Sequence, residues 1–145
     1  MGEAVTPFEI AMQEFGICER PGPKTNLRIA EYHESVGLSV DDEVAWCSSF
    51  RNFCEEEANG EGSGTNRPNA RSWLKWGNYV DAALARIGDT VVFWRGARDG
   101  WKGHVAFFLA WSKDRSRVLV LGGNQSNRVS VQWYSVDKIL EFRRA

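Results

Sequence analysis

Hydrophobic positions follow a helical period in the first half of the chain and a strand period in the second. Phe8, Ala11, Met12 and Phe15 recur at i, i+3, i+4 and i+7, the spacing of one apolar helix stripe. Thr6-Pro7-Phe8-Glu9 reads as a capping box with proline at the first helical position, and Gly16 ends the helix. Pro21-Gly22-Pro23 marks a turn. A second helix is expected from Asn26 to Val36, with Ile29, Ala30, His33 and Val36 near one face and Gly37 as its stop. A third covers Phe50 to Ala58, directly after Trp46-Cys47-Ser48-Ser49. A glycine-rich loop then spans residues 59–68, followed by a short helix from Ala70 to Trp76. From Thr90 the pattern becomes β-branched and aromatic. Strands are expected at Thr90–Trp94, His104–Trp111, Val118–Leu121, Val129–Trp133 and Ile139–Arg143. Lys113–Ser116 is a hairpin turn, and Gly122-Gly123-Asn124-Gln125 interrupts the third strand. Helices followed by an antiparallel meander predict an α+β fold, with N-terminal helices packed on a C-terminal antiparallel sheet in a single domain over residues 1–145.

Composition narrows the function classes. A 43% hydrophobic, 26% charged chain is ordinary for a globular domain. A formal net charge of −1 gives no electrostatic pull towards nucleic acid or anionic lipid. No apolar run approaches the ~18–20 residues that span a bilayer. No basic segment followed by an apolar one opens the chain, so synthesis in the cytoplasm without a Sec signal is expected. Cys18, Cys47 and Cys54 form neither an even disulfide framework nor a C-x-x-C pair, and reduced thiols are expected. The glycine-rich loop follows a helix and lacks the Gly-Lys-Ser/Thr ending of a phosphate cradle.

Cys47 carries the chemical signal. A cysteine at a helix start faces unpaired backbone N–H groups and the positive end of the macrodipole, which favour the thiolate. A nucleophilic thiol also needs a base, and the base an orienting partner. The chain has two histidines. His33 falls on the expected packed face of the second helix and reads as structural. His104 begins a strand after Gly103. Residues 104 and 124 stand ten positions either side of Asp114 in the hairpin turn, so simple pairing sets Asn124 opposite His104. Cys54 lies two turns along the helix from Cys47, ~10 Å at 1.5 Å per residue, too far to share a metal; it reads as core, and Cys18 as structural or incidental. Asp41-Asp42-Glu43 suits a helix start better than a calcium loop, whose ligand spacing it lacks. Among Trp73, Trp76, Trp94 and Trp101, one or two are expected to line a groove.

The order of elements resembles the papain-like NlpC/P60 and CHAP superfamily of peptidoglycan hydrolases. Trp46-Cys47-Ser48-Ser49-Phe50 is similar to its nucleophile helix, Gly88-Asp89-Thr90-Val91-Val92-Phe93 to its Gly-Asp strand, and Gly103-His104-Val105-Ala106-Phe107 to its Gly-His-Val strand. Asp41-Asp42-Glu43, Ala70–Gly77 and Leu121–Asn127 resemble a compact single-domain subgroup of phages and Gram-negative bacteria. The resemblance runs from about Pro7 to Arg143. It implies Cys47 as nucleophile, His104 as general base and acid, and Asn124 as the residue orienting the ring, with Gln125 as the alternative. The Cys47 N–H would supply one oxyanion donor; the second is unassigned. Substrate contacts are expected from Trp46, Trp73, Trp101 and Gln125. The implied substrate is peptidoglycan, cut at a stem-peptide bond or at the amide joining muramic acid to L-alanine. No metal, no other cofactor, no nucleic acid and no membrane span are expected. The resemblance implies a monomer acting in the periplasm or cell wall after release or export, as a phage lysin or a wall-lytic effector with a cognate inhibitor or immunity protein. The alternatives are a non-catalytic wall-binding or structural module on the same fold, and a deamidase or transglutaminase.

Overall fold

A computed structural model describes residues 4–20, 26–38 and 45–145. Pro21-Gly22-Pro23 and Asp41-Asp42-Glu43 lie outside the described residues. Helix α1 (Pro7–Gln13) starts with the expected reciprocal capping box between Thr6 and Glu9. It stops short of Phe15, however. Phe15 and Met12 are 61% and 48% exposed, so only part of the expected stripe is buried. The inward position goes instead to Glu14, whose carboxylate holds the Arg28 guanidinium and the Tyr32 hydroxyl. Helix α2 (Leu27–Glu34) is capped by the Asn26 side chain. Its Tyr32 ring packs on Trp46, Phe50 and Phe53, which joins α2 to α3 (Cys47–Asn59). The expected short helix is a 3-10 helix at Ala70–Lys75.

The strands are β1 (Asn78–Val80), β2 (Thr90–Trp94), β3 (Gly103–Trp111), β4 (Arg117–Gln125), β5 (Arg128–Ser135) and β6 (Ile139–Arg144). They form one antiparallel sheet in the order β1-β6-β2-β3-β4-β5. The molecule is therefore α+β. Strand β4 continues past the two glycines that the sequence reads as an interruption, but its pairing with β3 ends before them and its register with β5 shifts after Gly122; β1 is a short edge strand without a sequence signal.

Alternation along the strands gives the sheet two buried faces. Phe107, Leu121 and Val129 pack with Phe50, Phe53 and Cys54 on the helix side, while Val92 and Val105 pack with Cys47 and Trp73. Val91, Phe93, Ala106, Phe108, Val118, Val120 and Phe142 form a core on the opposite face. Strand β2 separates β3 from β6, yet Trp111 and Phe108 stack on Phe142 at 5.5 and 5.6 Å. The sheet is curled enough to close that second core over itself. No helix among the described residues is long and apolar enough to cross a membrane.

Candidate active site

Strands β3 and β4 pair from Trp111↔Val118 to Phe107↔Leu121, with one extra residue, Leu109, on β3, and the ladder ends there. Beyond that point, three features of β4 shape the site. Gly122 and Gly123 lack side chains where neighbours press closest. A Cβ on Gly123 would meet Phe50 Cβ at 2.7 Å and the Trp46 ring at 2.8 Å, and one on Gly122 would meet Ala106 Cβ and Gln125 Oε1 at 2.8 Å. Helix α3 can therefore lie directly on β4, and the Gln125 side chain can fold back over Gly122. Asn124 adopts a left-handed conformation, φ 57°. The β4–β5 register passes from Gly122↔Ser130 to Gln125↔Arg128, with one extra residue on β4, a β-bulge.

That extra residue decides which side chain meets His104. His104 Nε2 bonds Gln125 Oε1 at 2.8 Å. Asn124, the partner expected from pairing arithmetic, is displaced by the bulge and gives up its place to the next residue. The Gln125 amide nitrogen donates to Ser130 O at 2.7 Å and to Val120 O at 3.4 Å. These two carbonyls fix the amide orientation, so Oε1 is an acceptor towards the ring. Nε2 must then be the protonated nitrogen, and in the neutral ring Nδ1 carries the lone pair. Nδ1 is buried and has no hydrogen-bond partner among the described residues, Cys47 included. The ring packs against Phe93 and Tyr134, with centroids at 5.9 and 5.2 Å, and these two rings pack on each other at 5.0 Å.

Cys47 is the first residue of α3. Trp46, at the N-cap, makes no side-chain cap, so the N–H groups of the first turn are not claimed by a capping side chain. The backbone N–H groups of Val105, Ser48 and Cys47 itself favour the charged form of the sulfur. Val105 follows His104 directly. Cys47 packs on the helix side with Val105, and the His104 ring stacks on the opposite side with Phe93, so thiol and imidazole flank one peptide unit where the β3–β4 ladder has opened.

Burial pushes the Cys47 thiol above its ordinary pKa, and the three N–H groups and the Arg95 guanidinium oppose that without overcoming it. The helix start thus does not yield a resting thiolate as the sequence position suggests, because the site is too dry. Burial, with the Arg95 charge adding to it and the Gln125 bond opposing it, takes His104 down to about 4. The resting pair at neutral pH is a thiol and a neutral imidazole whose free nitrogen is an acceptor.

Other expected contacts are corrected. Trp46 and Trp73 are fully buried. The Trp46 indole donates to Glu19 Oε1 at 2.8 Å and that of Trp73 to Ser48 Oγ at 3.0 Å. Trp73 also stacks on Trp76 and covers the Arg51 guanidinium. Neither presents a face to a ligand. Gln125 is 1% exposed and spends its amide on the ring and the two carbonyls, so it positions His104 rather than touching substrate. Trp101 is 76% exposed, on a loop pinned by Arg71, whose guanidinium donates to the carbonyls of Ala97, Arg98 and Lys102. His33 bonds Ser49 Oγ at 3.0 Å inside the α2–α3 contact. Cys54 is buried and Cys18 exposed.

Two residues without a sequence signal complete the site. Arg95 follows β2, is exposed, and its charge acts on Cys47, His104 and Tyr134. Tyr134 lies on β5. With Phe93, Trp94, His104 and Lys138 they line a cleft of about 220 Å³. Lys138 Nζ sits 3.7 Å from the Trp94 ring centroid. The chain matches no protein-family model and no curated protein.

Proposed function

We propose that the protein is a papain-like cysteine hydrolase of peptidoglycan amide bonds, similar to the NlpC/P60–CHAP hydrolases. The observation that carries this reading is the ring of His104. Gln125 fixes its tautomer, its acceptor nitrogen is buried without a partner among the described residues, and Cys47 packs against the next residue, Val105. A structural histidine has no need of a dedicated tautomer lock ending in an unpartnered nitrogen.

In this mechanism substrate binding first brings together the thiol and the imidazole, which stand on opposite sides of the 104–105 peptide unit; Cys47 Sγ then attacks the amide carbonyl carbon as Nδ1 takes the thiol proton, a contact that unliganded sites commonly close only when substrate binds. Negative charge on the carbonyl oxygen is met by the uncapped N–H groups at the start of α3, Cys47 first. Nδ1 returns the proton to the departing nitrogen, the C–N bond breaks, and a thioester remains. Water then gives a proton to Nδ1 and attacks the thioester, and the proton passes back to Cys47 as the thiol leaves. Gln125 keeps the ring oriented throughout. The expected place of action is the cell wall, after release or export, with a cognate inhibitor in the case of a secreted effector.

Incubation of the purified protein and Cys47→Ala with peptidoglycan, with fragments identified by mass spectrometry, tests the reading. New peptide N-termini or free lactyl muramic acid from the wild type alone are expected. Equal release by both proteins ends the nucleophile assignment, and no release by either ends the substrate assignment.

A further inference from the structure

The cleft beside His104 has a composition that the hydrolytic step alone does not require. Two cationic side chains, Arg95 and Lys138, share the lining with two aromatic ones, Trp94 and Tyr134, Lys138 lying over the Trp94 ring, with His104 as the inner wall. Arg95 is exposed, and its backbone N–H bonds Lys102 O at 3.1 Å, closing the neck of the loop that Arg71 pins. Trp94 is held by its indole bond to Asp137 O at 3.0 Å. The cations therefore sit on anchored backbone. An exposed guanidinium lining such a cleft is suited to a planar carboxylate.

Position then says where on the substrate that carboxylate belongs. His104 delivers a proton to the departing nitrogen, so a cleft walled by His104 receives the leaving side of the amide. We infer that Arg95, assisted by Lys138, binds a free carboxylate on the carbon that carries the departing amine. This inference rests on the hydrolase reading and selects among its bonds. The amide between muramic acid and L-alanine does not fit, because the carboxyl next to that nitrogen is itself tied up in a peptide bond. A C-terminal amino acid fits, and so does a cross-link in which the amine-bearing carbon of a diamino acid keeps its carboxylate. When the C–N bond breaks and the Cys47 thioester forms, the released amine leaves with its carboxylate still paired to Arg95.

The test uses stem-peptide analogues ending in acyl-D-alanine, identical except for a free terminal carboxylate or a carboxamide. Binding is measured first, by calorimetry on Cys47→Ala, so that the result does not depend on turnover. The carboxylate form is expected to bind at least about tenfold more tightly, and the preference to vanish in Cys47→Ala combined with Arg95→Gln. Equal binding of the two forms, no binding of either, or a preference that survives Arg95→Gln overturns the inference. Turnover by the otherwise wild-type protein supplies the second readout. Arg95→Gln is expected to raise KM about tenfold for the carboxylate substrate and to leave KM for the carboxamide unchanged. A fall in kcat common to both substrates reports the lost charge beside Cys47 and His104, and if KM for the two also stays equal the subsite is refuted. Carboxylate-selective binding without hydrolysis leaves the cleft standing and removes the hydrolase reading.

Discussion

Strands β3 and β4 have two very different ends. At the hairpin end they pair as far as Trp111↔Val118, and the turn is closed by Asp114, which accepts from the Ser112 and Ser116 hydroxyls and the Ser116 N–H. At the other end the ladder stops after Phe107↔Leu121, two glycines admit α3, and a left-handed Asn124 adds a residue to β4. The same two strands are scaffold at one end and site at the other. The difference lies in where backbone pairing is given up: an open ladder frees a backbone N–H for the Cys47 sulfur and lets Gln125 reach the imidazole. Bulges beside functional sites re-aim side chains in this way.

The comparison makes activity and stability separable. The largest expected effect is Cys47→Ala, which removes the nucleophile and abolishes hydrolysis while the thermal midpoint stays within a few degrees of wild type, since a small buried side chain is replaced by a smaller one. Next comes Gln125→Ala, for which hydrolysis is expected to fall on the order of 10²-fold through loss of ring orientation. Nitrogen-15 shifts of His104 would then show both neutral tautomers instead of one. Asn124→Gly keeps the left-handed residue and the bulge, and is expected to hold activity within about twofold. The opposite result for this pair of variants would reinstate Asn124 as the orienting residue.

Those two neighbours also show what the sequence made legible. The capping box at Thr6 and Glu9, the strand at Thr90–Trp94, the hairpin around Asp114 and the placement of Cys47 ahead of a helix all rest on local pattern, and local pattern survives folding. Asn124 as the partner of His104 rested on a register count. Each inserted residue shifts such a count by one, and the hairpin carries two, Leu109 on β3 and one beside Asn124 on β4; the second is marked only by an asparagine that tolerates φ > 0. The sequence presents Trp46 and Trp73 as substrate contacts because composition does not distinguish a groove tryptophan from a core one. Glu19 and Ser48, the acceptors that let their indoles be buried, come from distant parts of the chain. Arg95 and Tyr134 belong to different strand ends, and only the curl of the sheet brings them together over His104.

The pH response sharpens the contrast between the dry site and the wet turn. The His104 ring takes a proton below about 4 in the folded protein, against an ordinary 6.5 when unfolded. Between these values the unfolded chain binds more protons, so stability is full above pH 6.5 and declines as pH falls towards 4, by roughly 3 kcal/mol for this one group. Denaturant titrations at pH 7 and pH 4 are expected to show that loss in the wild type and most of it abolished in His104→Gln. The acid limb of kcat/KM is expected near pH 4 rather than 6.5, because the base stays neutral until then. With the thiol raised, Cys47 is expected to show no thiolate absorbance at pH 7 and to react slowly with iodoacetamide, measured in Cys18→Ser to remove the exposed thiol. An acid limb near 6.5 together with rapid alkylation would mean a resting ion pair instead.

The smallest effects test the scaffold claim itself. Gly123→Ala places a methyl within 2.8 Å of Phe50 and Trp46, and such overpacking costs about 1–3 kcal/mol. The collision also pushes α3 off β4, so activity is expected to fall with stability, since Cys47 rides on that helix. At the far end, Asp114→Ala removes three hydrogen bonds from an exposed turn. Those bonds, with a smaller contribution from its own backbone N–H, hold its carboxyl down at about 2. A small drop in thermal midpoint is expected, with kcat/KM unchanged, because the paired segment from Phe107 to Trp111 lies between the turn and the site. A change in kcat/KM on Asp114→Ala would show that the register of the whole hairpin, and not the local opening at Gly122–Gln125, sets the position of His104.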